Sequence, residues 1–422
     1  MSLPNFARRV CAAALLLPVS AFAQEGQLPA VSRAPEPLRM AVVSAWQQHP
    51  AMRATDARRA IAQARLEAAR QPLYNPSLDL GYDREGTDRT NTFGLSMPLD
   101  INGKRRARVD AATSRVMQSV AETQVARRAF IRNWLASWAE WQTANERVRV
   151  GERRLQLLGR FQDLAKTQFA AGDISGLERD LAQLSRAEAQ AEQAGLIGER
   201  AQAEAVLRAL GSDPAAVASL QPGNMTLPPS SGIAVRVDDL PDVQAGYAAA
   251  DAAAREVEVA KRNRLGDPVV GVSSGRLRLP GGVSDTVVGV TLSIPLNVRN
   301  TYRAEVVAAR AEADAARADA DQLRLAFASN QTRAVESYAA ARSAWQTWQD
   351  NRGTDVERRA SLLERSWREG ELSTTDYLLQ LNQTLDTQQA GAVLQAQVWK
   401  AYVDYLDAAG QLERWVGLEG TP

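Results

Sequence analysis

Lys104, Arg105, Arg106 and Arg108 place four positive charges within five residues, directly after Gly103. A glycine followed by clustered cations is the raw material of a phosphate cradle, in which backbone N–H groups and a lysine neutralise the anion. The phosphate-loop spacing fails here at two positions. Pro98 stands where the first glycine belongs, and Arg105 follows Lys104 where a hydroxyl residue is needed. What remains is a solvated, basic helix face.

Other chemistry has little material. Cys11 is the only cysteine and His49 the only histidine. Arg8 and Arg9 precede an apolar stretch from Val10 to Phe22, and Ala21-Phe22-Ala23 before Gln24 has the form of a signal-peptidase site. Residues 1–23 are therefore expected to be a signal peptide, and a chain starting at Gln24 has no cysteine, which excludes disulfides, zinc–thiolate sites and cysteine nucleophiles. Cys11 also lacks the small-residue approach of a lipid-attachment site. His49 precedes Pro50 and reads as a helix-entry residue rather than a ligand. Several converging ligands are needed for a metal site, so no metal, cofactor or catalytic residue is expected, and the chain does not read as an enzyme. With 50 basic and 49 acidic residues, it is no general nucleic-acid binder either. No apolar run after the signal approaches the roughly eighteen residues of a membrane-spanning helix. Entry into a membrane would require a barrel.

The elements around the basic cluster repeat. FGLSMPLDINGKRRARVDAA from Phe93 corresponds to VTLSIPLNVRNTYRAEVVAA from Val290, at a spacing of 197, with Gly103-Lys104-Arg105 replaced by Asn300-Thr301-Tyr302. FAAGDISGLE at Phe169 corresponds to WREGELSTTD at Trp367. Matching segments in matching order indicate an internal duplication. The expected organisation is a signal at 1–23, an N-terminal extension at 24–36, a first repeat at 37–211, a linker at 212–232 holding four prolines, a second repeat at 233–413 and a tail at 414–422.

Each repeat reads helix, strand, turn, strand, very long helix, turn, helix. The first helix is expected from about Pro37 to Gln71. Leu78, Leu80 and Tyr82 alternate with polar or small residues, as do Phe93, Leu95 and Met97 beyond a turn at EGTDRT, and Val288, Val290, Leu292 and Ile294 in the second repeat. Near Arg276 the alternation fades and the register is open. Lys104 to Lys166 and Thr301 to Trp367 are proline-free, giving helical runs of about 90 Å. Val109, Val116, Val120, Phe130, Trp134, Trp138 and Trp141 recur at coiled-coil spacings, and the tryptophan stripe reads as core rather than a ligand platform.

Four strands cannot close a membrane barrel, which takes about eight or more; three copies would supply twelve. On the duplicated plan, the NPSLDLG and PLDINGKRRARV steps and the two GD/GE-x-S turns, the chain resembles the TolC-like outer-membrane efflux proteins, in their heavy-metal branch. The resemblance implies a mainly α fold with a small β part, in which duplicated long-helix coiled-coil hairpins and four strands per chain trimerise into a twelve-stranded outer-membrane barrel and a periplasmic helical tunnel. It implies an exit duct for metal cations or small toxic compounds, with outer-membrane lipid, a periplasmic adaptor and an inner-membrane, proton-driven RND-type pump as partners. It places adaptor docking at the tips Gly172-Asp173-Ile174-Ser175 and Gly370-Glu371-Leu372-Ser373, and an entrance constriction at Asp376, with Leu379 where drug-exporting relatives carry a second acid. Pro76, Pro98, Gly103, Pro268 and Pro295 mark the corners between strands and helices, where the basic cluster is expected to meet anionic lipid. A type I protein-secretion duct of the same fold and a soluble periplasmic coiled-coil scaffold are the alternatives.

Overall fold

A computed structural model of the chain describes residues 33–220, 227–230, 233, 235–351 and 356–418. The expected signal peptide and part of the expected linker lie outside the described residues. Helices α1 (Glu36–Gln48) and α2 (Pro50–Arg70) come first, so the single helix expected over this stretch is two. A residue before proline is driven out of the helical region, and His49 is extended, at φ −73° and ψ 138°. Its Nδ1 accepts the Ala51 N–H at 3.1 Å, which makes the lone histidine the cap of α2.

Strands β1 (Ser77–Glu85) and β2 (Asp88–Pro98) follow, then α3 (Lys104–Ala171), α4 (Gly176–Ala209) and the short α5 (Pro214–Val217). The second half runs α6 (Pro241–Asn263), β3 (Val269–Arg278), β4 (Ser284–Ser293), α7 (Arg303–Asn351), α8 (Val356–Arg368), α9 (Thr374–Ala408) and α10 (Leu412–Val416). The run expected from Thr301 to Trp367 is thus described as α7 and α8, with 352–355 outside the described residues. α3 is continuous over 68 residues, about 100 Å at 1.5 Å per residue. No helix among the described residues is long and apolar enough to cross a membrane.

The tryptophan stripe is core. Trp134 and Trp138 are fully buried and stack at 6.4 Å, and Trp399 of α9 meets Trp138 edge-on at 5.3 Å. Nearer the sheet one expected packing residue does not serve: Val120 is exposed and Val109 and Val116 are half-buried, while Ala107, Ala111, Ser114 and Ser119 are buried. Small side chains let helix backbones approach closely there. Between α3 and the chain's end, Arg128 is buried and ion-paired to Asp242 and Asp407, each at 2.6 Å. Burial pushes the Asp242 carboxyl above its usual range against the pull of Arg128.

The four strands form one antiparallel sheet in the order β1-β2-β3-β4. Directly opposed residues share a face, and the pairing stacks Leu78, Leu95, Val272 and Val290 in one row and Leu80, Phe93, Ser274 and Val288 in the next. This face is apolar yet open, with Leu80 77% and Val290 76% exposed. The other face carries Asp79, Gly94, Ser273 and Gly289 in one row. Both edges, β1 and β4, lack a neighbour among the described residues. Three expectations shift. The turn is only Gly86–Thr87, because Glu85 pairs with Asp88; Ile294 lies beyond β4; and Arg276 is in register with Asn91 and Thr286.

Candidate functional site

The two helix tips are built alike. At the end of α3 the chain reverses through Gly172, at φ 85°, a left-handed conformation that costs a residue with a Cβ about 1–2 kcal/mol. Gly172 N–H donates to the Phe169 carbonyl and Asp173 N–H to Gln168, at 3.0 and 2.9 Å, which satisfies the orphan carbonyls of a helix end. Ser175 then starts α4 with a reciprocal cap: its Oγ accepts Glu178 N–H at 3.3 Å and the Glu178 carboxylate accepts Ser175 N–H at 2.8 Å. In the second tip Gly370, at φ 75°, ends α8, and Glu371 N–H donates to Ser366 at 2.9 Å. Ser373 Oγ accepts Asp376 N–H at 3.1 Å and donates to the Asp376 carboxylate at 2.7 Å.

These tips are joined. Thr374 Oγ1 donates to the Glu178 carboxylate at 3.0 Å, while the Trp367 indole N–H donates to Thr374 at 3.1 Å. Hydrogen bonds from the Ser175 backbone, the Ser175 hydroxyl and Thr374 outweigh burial and hold the Glu178 carboxyl below its ordinary value. Beneath the join, Phe161, Trp367 and Tyr377 form an aromatic trio with ring separations of 4.7, 4.4 and 6.0 Å. Leu157, Leu363, Leu381 and Leu385 surround it, and Ile174 and Leu372 of the tips close over it. Gly172, Asp173, Gly370 and Glu371 are left exposed. So is Asp376, one turn into α9, beside the exposed Leu379. The cross-tip bond escaped the sequence reading because its partners lie 196 residues apart; the shared S-x-x-acid spacing of the two caps was its only trace.

At the opposite end of α3 lies the corner with the sheet. Pro98 ends β2, the Leu99 N–H donates to the Pro268 carbonyl at 2.8 Å, and Gly103 turns left-handed at φ 70°. Asp100 caps α3, its two carboxylate oxygens accepting Lys104 and Arg105 N–H at 2.8 and 2.9 Å. Lys104 is not part of a solvated or lipid-facing patch. It is buried, and its ammonium sits 2.8 Å from Asp267, a carboxylate that also accepts from Asn102 at 2.9 Å and Tyr74 at 2.5 Å. Burial alone would raise the Asp267 carboxyl, but Lys104, Tyr74 and Asn102 together hold it below its ordinary value. Arg105, Arg106 and Arg108 remain exposed. Pro76 precedes β1 and Pro295 follows β4. The second corner is not a copy of the first: the residue opposite Gly103 in the duplication is Asn300, but the left-handed residue is Tyr302, at φ 49°, just before α7.

Known proteins resemble this chain in sequence and in fold. The model of the family described as outer membrane efflux protein matches residues 41–211. The nickel-cobalt-cadmium resistance protein NccC of Alcaligenes xylosoxydans xylosoxydans is 27% identical over 279 residues, covering 64% of this chain and 61% of that protein. The cobalt-zinc-cadmium resistance protein CzcC of Cupriavidus metallidurans is 26% identical over 234 residues, covering 54% of this chain and 56% of that protein. Both alignments span less than two thirds of the relative's own length. Among solved structures, the Campylobacter jejuni CmeC outer membrane channel superposes with a TM-score of 0.75 at 16% identity, over 97% of this chain and 94% of that one. The outer membrane protein VceC of Vibrio cholerae superposes with a TM-score of 0.69 at 20% identity, over 88% and 96%. Residues 41–211 are thus similar to the outer membrane efflux protein family, and the described residues share the fold of the CmeC and VceC structures.

Proposed function

We propose that three copies of this chain form a passive exit duct for metal cations or small toxic compounds. In this reading the duct serves a tripartite efflux system with a periplasmic adaptor and an inner-membrane, proton-driven pump. The carrying observation is the sheet. It has two unpaired edges and an exposed apolar face, and a free edge in a stable protein is a pairing site. Edge pairing of three such sheets gives a closed twelve-stranded barrel with its apolar face toward lipid and the row of Asp79, Gly94, Ser273 and Gly289 toward the lumen. α3 and its repeat partners then run from the barrel into the periplasm, and residues 37–211 and 233–413 act as two equivalent staves. Exposed Leu177 and Leu184 on α4, seven residues apart, supply apolar contact between neighbouring staves.

The six tips of the trimer form one ring, offered to the adaptor by the exposed residues of Gly172–Ser175 and Gly370–Ser373, and a ring of three Asp376 carboxylates narrows the entrance. Metal cations are favoured as cargo by the names of NccC and CzcC. The chain acts as a conduit, with selection left to the pump. The test is expression of the full chain with its signal in a cell deleted for this gene. Outer-membrane fractionation as a trimer, with restored resistance to cobalt or cadmium, is the expected result; a soluble monomer overturns the duct, and a membrane trimer without metal resistance overturns the cargo.

A further inference from the structure

At the hairpin end of the sheet the charges are sorted by face. Arg84 pairs with Arg89, Arg89 with Arg278, and Arg278 with Ser284. Three guanidiniums therefore stand in one row on adjacent strands, about 10 Å from first to last at the usual strand spacing. Arg276 follows one step down the same face, in the row of Tyr82, Asn91 and Thr286. All four arginines are exposed, and none has a hydrogen-bond or ion-pair partner among the described residues. The acids nearby, Asp79, Asp83, Glu85, Asp88 and Asp285, all fall on the other face, since each pairs with a residue of opposite parity to the arginine rows.

Like charges directly opposed on a sheet are unfavourable, and here nothing within the described chain relieves them. The rows also lie at a telling height. They continue the apolar face of Leu78, Leu80, Phe93, Leu95, Val272, Val288 and Val290, and the Arg84–Arg89–Arg278 row is eight residues along the strand from the Met97–Val270–Leu292 row. At about 3.3 Å per residue this is about 26 Å along the strand, or about 20 Å of height at the usual barrel tilt of about 40°, most of the roughly 25 Å apolar band of an outer-membrane barrel. The arginines thus stand where hydrocarbon gives way to head groups.

We propose that Arg84, Arg89, Arg276 and Arg278 bind the phosphate groups of the anionic glycolipid in the leaflet around the barrel's outer rim. This rests on the barrel reading of the sheet. Guanidinium suits the role because its planar fork makes paired, charge-assisted bonds to phosphate oxygens, and the apolar rows below take the acyl chains of the same lipid.

The test uses the full-length mature chain reconstituted in phosphatidylcholine bilayers, alone, with bisphosphorylated lipid A, or with lipid A stripped of both phosphates. The readouts are lipid A retained per trimer by mass spectrometry and the temperature at which the trimer dissociates. Wild type should retain the bisphosphorylated form at least about tenfold better than the stripped form, given the strength of charge-assisted bonds to phosphate, and should dissociate at a higher temperature with it. R84Q/R89Q/R276Q/R278Q should lose both effects, while D83N/D285N on the other face keeps them. Equal retention of the two lipid A forms by wild type, or a quadruple variant that behaves as wild type, overturns the proposal. If the quadruple variant does not insert, the comparison of the two lipid A forms on wild type still decides. A wild-type chain that fails to insert into phosphatidylcholine alone overturns the barrel itself, before any lipid A is added.

Discussion

The hydroxyl of Thr374 donates to the carboxylate of Glu178 across 3.0 Å, so the first turn of α9 is tied to the first turn of α4 although the two lie 196 residues apart. Thr374 is 1% exposed and also accepts the Trp367 indole N–H.

Thr374→Val keeps the shape and removes the bond at both ends, leaving Trp367 Nε1 buried without an acceptor. The expected loss is about 1–3 kcal/mol, read by denaturant unfolding, with Thr374→Ser near wild type. The Glu178 carboxyl is depressed chiefly by the bonds from the Ser175 backbone and hydroxyl and least by that from Thr374; a depressed acid stabilises above its unfolded value of 4.5 and that contribution is lost as pH falls below it. Wild type should therefore lose tip stability on acidification below that pH, and Glu178→Gln should show less of this loss.

Lys104→Met is expected to destabilise by about 3–5 kcal/mol, because it strands Asp267 as a buried charge. Arg106→Gln, an exposed neighbour, should change thermal stability little. Since Asp267 is held below 3.8, its share of wild-type stability is present above that pH and lost as pH falls through the lowered value, and the acid-unfolding profile of Lys104→Met should be flatter in that window.

Tyr302→Gly should stabilise, by about 1 kcal/mol, because it removes the left-handed strain of a residue with a Cβ. Thermal melting checks this. The reciprocal change, Gly103→Ala, should lower stability by a similar amount.

Arg at Leu80, Leu95 or Val290 should cost about 2–4 kcal/mol in bilayers where the site meets the lipid midplane, while Arg at Gly81 or Thr291, on the opposite face, should change conductance instead. Folding yield into vesicles and single-channel current separate the two sets. Equal loss of assembly from both would contradict the assignment of faces.

A Cβ added at Gly172 or Gly370 meets nothing within 4 Å, so bulky residues there alter the tip surface at the cost of backbone strain alone. Gly172→Trp and Gly370→Trp are expected to abolish export in cells while trimer and insertion persist. Asp376→Asn keeps an acceptor for Ser373 and removes the charge; it should raise ion conductance through purified trimers, and an unchanged conductance removes Asp376 from the entrance.

Much of this was written locally. The alternation of Leu78, Leu80 and Tyr82 gives the apolar face because side chains on a strand point to opposite sides in turn, and Gly172 and Gly370 mark reversals because little else tolerates that conformation. The break at His49 was legible in the proline after it, yet the strong helix formers on either side concealed it. Register at Arg276 was not, since the outward face there passes from Val272 through Ser274 to Arg276 and hydropathy stops reporting direction. Nor was the fate of Lys104. Its charge belongs to a basic run, but Asp267, 163 residues on, decides whether it is surface or interior. The same distance hid Glu178 and Thr374 from each other.

One helix carries a mechanical consequence. α3 runs from Lys104 to Ala171 over 68 residues without proline, and sharp bends in helices arise at proline, at glycine–serine pairs or at bulges. Its two glycines, Gly151 and Gly159, stand singly, and the first is held against Gln193 and Leu196. There is no joint along its length to absorb a twist. A turn imposed at the tip would therefore meet no hinge before the corner where Lys104 and Asp267 hold the sheet, so that α3 would act as a drive shaft between the two ends.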